Sequence, residues 1–137
     1  MRGTKRAKKR GGMADELIPP DVRGFIQRHI DSIAQLEALL LLLHQPHVEW
    51  TATGVAAHLY IDTDQAAQVL QQLCDDGLAG CKDGTYWFNG EAPHQRAIVQ
   101  RLAVLYASHL IPVTNLVHAK PSAARAFAAA FKLRKDR

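Results

Sequence analysis

Between Thr51 and Asn89 the apolar residues change from a spacing that suits a helix to one that suits a strand, and this switch constrains the chain more than any other feature. The stretch reads VEWTATGVAAHLYIDTDQAAQVLQQLCDDGLAGCKDGTYWFNG. Val48 to Thr51 is a short β-prone piece. Thr51 or Thr53 is placed to cap a helix running to about Tyr60, because a threonine hydroxyl accepts from the free N–H groups of a first turn. Ile61 and Asp62 make a turn. Thr63 caps a longer helix that stops at Gly77, a residue able to enter the left-handed region where helices close. Leu78 to Lys82 and Thr85 to Asn89 then read as two short strands. Asp83-Gly84 between them is a dipeptide suited to a tight hairpin turn.

The flanks are helical. Phe25, Ile26, His29, Ile30 and Ile33 fall at helical spacing after Pro19 and Pro20, which suits a short helix starting near Pro20. Asp31 or Ser32 then caps a second helix, and Ser32 with Gln35 fits a capping box. Ile33, Leu36, Leu39, Leu40 and Leu43 give that helix an apolar face wide enough to be covered on several sides, and Pro46 ends it. After Pro93 a long helix is predicted, kinked at Pro112 because proline removes a hydrogen bond and clashes with the preceding turn. Lys120-Pro121 breaks it, and Ser122 caps a last alanine-rich helix carrying Phe127 and Phe131.

Helix, short strand, helix, turn, helix and hairpin is the order of a winged helix. With VAAHLYIDTDQAAQVLQQLCDDGLA in place of the helix-turn-helix and KDGTYWF in place of the wing, the segment resembles the DNA-binding domain of bacterial-type, MarR-like winged-helix transcription regulators. The resemblance covers about 60 of the 137 residues. It implies a mainly α fold with a small β-hairpin wing, and a second motif helix that enters the major groove. With Ala66, Leu70, Leu73 and Cys74 taken as buried, the outward face of that helix is Asp64, Gln65, Gln68, Gln71, Gln72 and Asp75. Glutamine can pair with adenine through N6 and N7. The DNA-binding candidates are therefore Thr63, Gln65, Gln68, Gln72 and, on the wing, Lys82.

The organisation that follows is a basic tail over 1–12, an arm with a short helix over 13–31, the winged helix over 32–91 and a helical extension over 92–137. At 137 residues one modest core is the limit. The tail lacks apolar residues and is expected to be disordered, and Met13 offers a second start. An extension of this length cannot bury its apolar side on so small a domain. Ile98, Leu102, Leu105, His109, Val113, Leu116, Phe127 and Phe131 are therefore assigned to a two-fold dimer, the alternative being that the extension folds back on the N-terminal helices.

Charge is segregated. The overall +4 divides into +6 over residues 1–12, +5 over 120–137 and −7 between them. Over 49–91 the balance is −6, with Lys82 the sole basic residue. Duplex affinity comes largely from neutralised phosphates, so contacts to them fall to the tail, to Arg23 and Arg28, and to the C-terminal helix. Two functions stand side by side: a dimeric regulator binding double-stranded DNA, and an adaptor that binds a protein partner and leaves its acidic motif free.

Other classes find little support. The sequence lacks a GxSxG, a glycine-rich phosphate loop and an HExxH, so no catalytic residue, enzyme activity or cofactor is expected. Seven histidines include no HxxxH pair on one helix face, and no metal site is assigned. Cys74 and Cys81 are read as core or surface thiols. No apolar run approaches the ~20 residues of a spanning helix, so no membrane contact is assigned and a cytoplasmic location is expected.

Overall fold

The computed structural model describes residues 17–119. The basic segment 1–12 and the predicted last helix, with Phe127 and Phe131, lie outside the described residues. Within them the chain is mainly helical with one small antiparallel sheet: α1 (Pro20–His29), α2 (Ile33–His44), β1 (Trp50–Thr51), α3 (Ala52–Leu59), α4 (Thr63–Asp75), β2 (Ala79–Lys82), β3 (Thr85–Phe88), α5 (Pro93–Ser108) and α6 (Leu110–His118).

α2 is the centre. Leu36, Ala38, Leu39 and Leu42 are fully buried and Leu40 nearly so, which leaves this helix apolar on almost every side. A helix of that kind has to be enclosed. α3, α4, α5 and β3 all pack against it. One continuous core results, running from Ile18 in the N-terminal arm to Val117 in α6, so the arm and the extension share the interior of the middle segment.

The turn from α1 into α2 carries a buried polar device. Ser32 Oγ accepts from the Gln35 backbone N–H at 3.1 Å, as a capping box requires. The returning bond falls one residue earlier than the motif predicts: Gln35 Oε1 accepts from the Asp31 N–H at 2.8 Å. Its Nε2 donates to the His29 carbonyl at 2.9 Å. Gln35 is 1% exposed and is the one buried polar side chain among the described residues. A single amide thus satisfies one orphan group at the end of α1 and another before the start of α2.

Local chemistry sets the remaining boundaries. Thr51 Oγ1 caps α3 by accepting from the Gly54 N–H at 3.0 Å. Tyr60 closes α3 in the left-handed region, with φ 60°, and stands 94% exposed. Thr63 does not cap α4 as expected: Asp62 holds the N-cap position, without a side-chain bond, and Thr63 is the first helical residue. Asp83 and Gly84 both have positive φ, the signature of a type I′ hairpin turn, and β3 lies between β1 and β2 in the sheet. Across the hairpin Gly80 faces Trp87, whose indole lies where a Cβ would stand.

The long C-terminal helix is broken rather than kinked at its proline. α5 ends at Ser108, α6 begins at Leu110, and their axes differ by 113°. Pro112 explains the position. Its ring opposes the carbonyl four residues back, on Ser108, so the first helix stops there. Pro112 then falls in the first turn of α6, where its missing N–H has no intrahelical partner to lose. The bend lets α6 as well as α5 pack on α1. Among the described residues no single helix is long and apolar enough to cross a membrane; α5 and α6 reach that length and composition only as this bent pair.

At the α2–α5 contact the Tyr106 hydroxyl donates to Glu37 Oε2 at 2.9 Å. Burial, and then the neighbouring carboxylate, push the tyrosine pKa up to about 12. In the unfolded chain it ionises near 10. Folding therefore gains from the neutral hydroxyl below pH 10 and loses that gain as pH rises from 10 to 12. We expect stability in urea to fall over that interval by a larger amount in the native chain than in Tyr106→Phe. A second expectation concerns Gln35→Leu, which keeps the volume and strands the Asp31 N–H and His29 C=O. It should cost about 2 kcal/mol in urea unfolding; an unchanged midpoint would show that the amide bridge contributes nothing.

Candidate nucleic-acid interface

The face proposed from the sequence to meet a nucleic acid rests on how α4 is held. Ala66, Val69, Leu70 and Leu73 are buried, with α2 and α3 as its main neighbours. Val69 joins the inward set predicted from spacing, and Cys74 is only half-buried. The helix ends in a Schellman arrangement: the Leu78 N–H donates to the Leu73 carbonyl at 2.9 Å and the Gly77 N–H to the Cys74 carbonyl at 3.0 Å, with Gly77 at φ 79°. Leu73 and Leu78, both buried, supply the accompanying apolar contact. Asn89 then ties the end of the hairpin back, donating from Nδ2 to the Gly77 carbonyl at 2.9 Å.

The outward face contains the expected residues. Thr63, Asp64, Gln65, Gln68, Gln71, Gln72 and Asp75 are all exposed. Gln65, Gln68 and Gln72 lie at i, i+3 and i+7 on one stripe, and none of the three amides is engaged within the described residues. Gln71 is engaged, donating from Nε2 to Asp75 Oδ1 at 2.9 Å. Asp76 is also occupied, by His29 Nδ1 at 3.2 Å, which joins the end of α4 to the end of α1.

Lys82 is exposed at the end of β2, beside the hairpin turn. It lines a surface cleft of about 330 Å³ together with Glu49 and Asp83, so the one cation of residues 49–91 shares that cleft with two carboxylates. Among the described residues, the other basic side chains are spread over the helical flanks and partly committed. Arg96 Nη1 donates to the Gly90 carbonyl at 2.7 Å and Arg23 Nη2 to the Ile18 carbonyl at 3.3 Å. Arg101 pairs with Asp21, and its guanidinium holds that carboxyl below the usual carboxylate range.

One feature of the site was misread from the sequence. Cys74 and Cys81 are not thiols but form a disulfide, with Cα atoms 6.2 Å apart, that ties the last turn of α4 to β2. The signal was available: the Gly77 reversal folds the strand back along the helix, which brings a residue one turn before the reversal near one in the strand after it. Disulfides persist in oxidising compartments and are rare in a reducing cytosol. The bond and the expected cytoplasmic location therefore pull in opposite directions.

The residues assigned to a dimer face also need correction. Ile98, Leu102 and Val113 are buried in the chain's own core, with Leu105 and Leu116 packed against it. His109 is half-buried at the α5–α6 break, its Nδ1 2.9 Å from Ser108 Oγ. The reason is the 113° bend, which folds the extension back on α1. The apolar side chains left outside are different ones: Val104, Leu110 and Ile111, exposed by 67%, 49% and 64%.

No family model, curated protein or solved structure matches the chain.

The disulfide closes a short loop, for which chain-entropy reasoning gives about 2 kcal/mol. Cys74→Ser/Cys81→Ser is expected to unfold at lower urea by that amount. Reductant should destabilise the native chain equally and leave the double variant unchanged. Equal stability of the native chain with and without reductant would show that the bond carries no weight.

Proposed function

We propose that the chain is a winged-helix regulator that binds double-stranded DNA, with α4 as the helix that reads bases, the β2–β3 hairpin as the wing and the basic termini as the source of duplex affinity. The observation that carries this is the unengaged stripe of Gln65, Gln68 and Gln72 on an exposed face whose opposite side is locked into the core. The element order and the β1-β3-β2 sheet support the same assignment. In the complex α4 lies in the major groove, where a glutamine amide can make two bonds to adenine, and a well-placed pair is worth about 1–3 kcal/mol of discrimination. Lys82 reaches the backbone from the wing tip. The net +6 of residues 1–12 and +5 of 120–137 neutralise phosphates that the −6 of residues 49–91 cannot. A dimer formed through Val104, Leu110 and Ile111 would present two copies of α4 to a two-fold site.

A second function is favoured by one specific observation. The carboxylates around α4 and the hairpin leave it poorly suited to approach phosphate, while Val104, Leu110 and Ile111 offer an apolar surface at the α5–α6 bend. Under that assignment the chain is a winged-helix adaptor that binds a protein partner and makes no use of α4 in a groove.

Fluorescence anisotropy of a random-sequence duplex separates the two. The full chain and a chain starting at Met13 are titrated against it at several salt concentrations. DNA binding predicts association of both at about 50 mM salt, weakening steeply as salt rises. Binding only with residues 1–12 present would reduce the interaction to a nonspecific arm. Absence of binding by both would leave the adaptor.

A further inference from the structure

A cleft of about 380 Å³ opens between α2, the end of α3 and α5, and shares no residue with the α4 face or the hairpin. Leu40, Leu41 and Leu59 give it an apolar floor. Its one carboxylate is Glu37, and His44 and His58 also line it. One oxygen of that carboxylate accepts from the Tyr106 hydroxyl at 2.9 Å, and no bond engages the other within the described residues. No lysine or arginine lines the cleft. The Tyr60 ring stands exposed at the rim, and His58 stands beside it.

These groups select a ligand by sign and by shape. A half-buried carboxylate beside aromatic rings and apolar floor attracts a cation, since a ring face and a carboxylate both favour positive charge. An anion meets repulsion from Glu37, and a neutral compound of the same shape gains only the floor. A strongly hydrated, compact ion gains nothing from Leu40, Leu41 and Leu59. We propose that this cleft is a binding site for a small organic cation with an apolar body, an arylalkylamine or alkylamine whose ammonium bonds the free oxygen of Glu37 while its hydrocarbon part covers the leucines.

The position gives such a ligand a route to the rest of the molecule. His58 lies edge-on to Trp50, with ring centres 5.2 Å apart, and Trp50 in β1 pairs with Tyr86 in β3. α3 in turn makes the largest helix contact of α4. The site does not depend on the proposed DNA binding and stands or falls separately.

The test is amide chemical-shift mapping of the full-length, ¹⁵N-labelled chain with phenethylamine as probe, set beside neutral 2-phenylethanol and anionic 3-phenylpropionate. The expected result is saturable shifts in residues 37–44, 58–60 and 106, with phenethylamine at least tenfold tighter than either isostere. Glu37→Gln should weaken the amine at least tenfold and leave the alcohol unchanged. Tyr60→Ala, which removes an exposed side chain, should weaken the amine severalfold and serves if Glu37→Gln fails to fold. No shifts at about 10 mM amine, above the millimolar affinity reasonable for so small a ligand, would overturn the proposal. So would equal affinity for the three probes, or an affinity that neither variant changes.

Discussion

Everything in this molecule is arranged around the need to enclose α2. A helix that buries Leu36, Leu39 and Leu42 completely can be stable only if its neighbours remove it from water on nearly all sides, and each such leucine is worth roughly 2 kcal/mol against exposure. A domain made of residues 32–91 alone would leave the α2 surface that α5 covers open to solvent. α5 closes it, and α1 packs in turn on α5 and α6. The apolar positions of α5 and α6 therefore sit in the chain's own core.

The same enclosure orients the candidate interface. α2 and α3 fix α4 from behind, the Schellman turn at Gly77 sets the direction of the hairpin, and the Cys74–Cys81 bond ties the two together. The outward glutamines are thus held on a rigid element, while the charge that would bring them to a polyanion is concentrated at the chain ends. Under the proposed DNA binding, recognition would fall to α4 and attraction to the chain ends, and the acidic middle would weaken nonspecific attachment.

Much of this was legible in the sequence where a local rule decides the outcome. Thr51 caps α3, Gly77 closes α4 and Asp83-Gly84 makes the hairpin turn, because each depends on a residue's own conformational preference. The inward and outward faces of α4 followed from its spacing. What depended on distant partners did not. The buried face of α5 was correct as a face and wrong as to its partner, since periodicity says that a side is apolar and not what covers it. Pro112 was located correctly, yet its effect was a break at His109, three residues earlier, because the ring acts on the carbonyl of Ser108. The Cys74–Cys81 bond, by contrast, had a local signal, because the left-handed Gly77 sets the strand back along the helix end. The Glu37–Tyr106 cleft joins residues 69 positions apart and had no signal in either segment.

Whether α4 meets DNA, as proposed, is decided by hydrogen exchange of the full chain with and without duplex. Slowed exchange in peptides spanning 63–75 and 79–88 is expected when DNA is bound. Protection confined to the termini, or an unchanged pattern under conditions where the duplex is held, would contradict it and leave α4 as a solvent-facing helix.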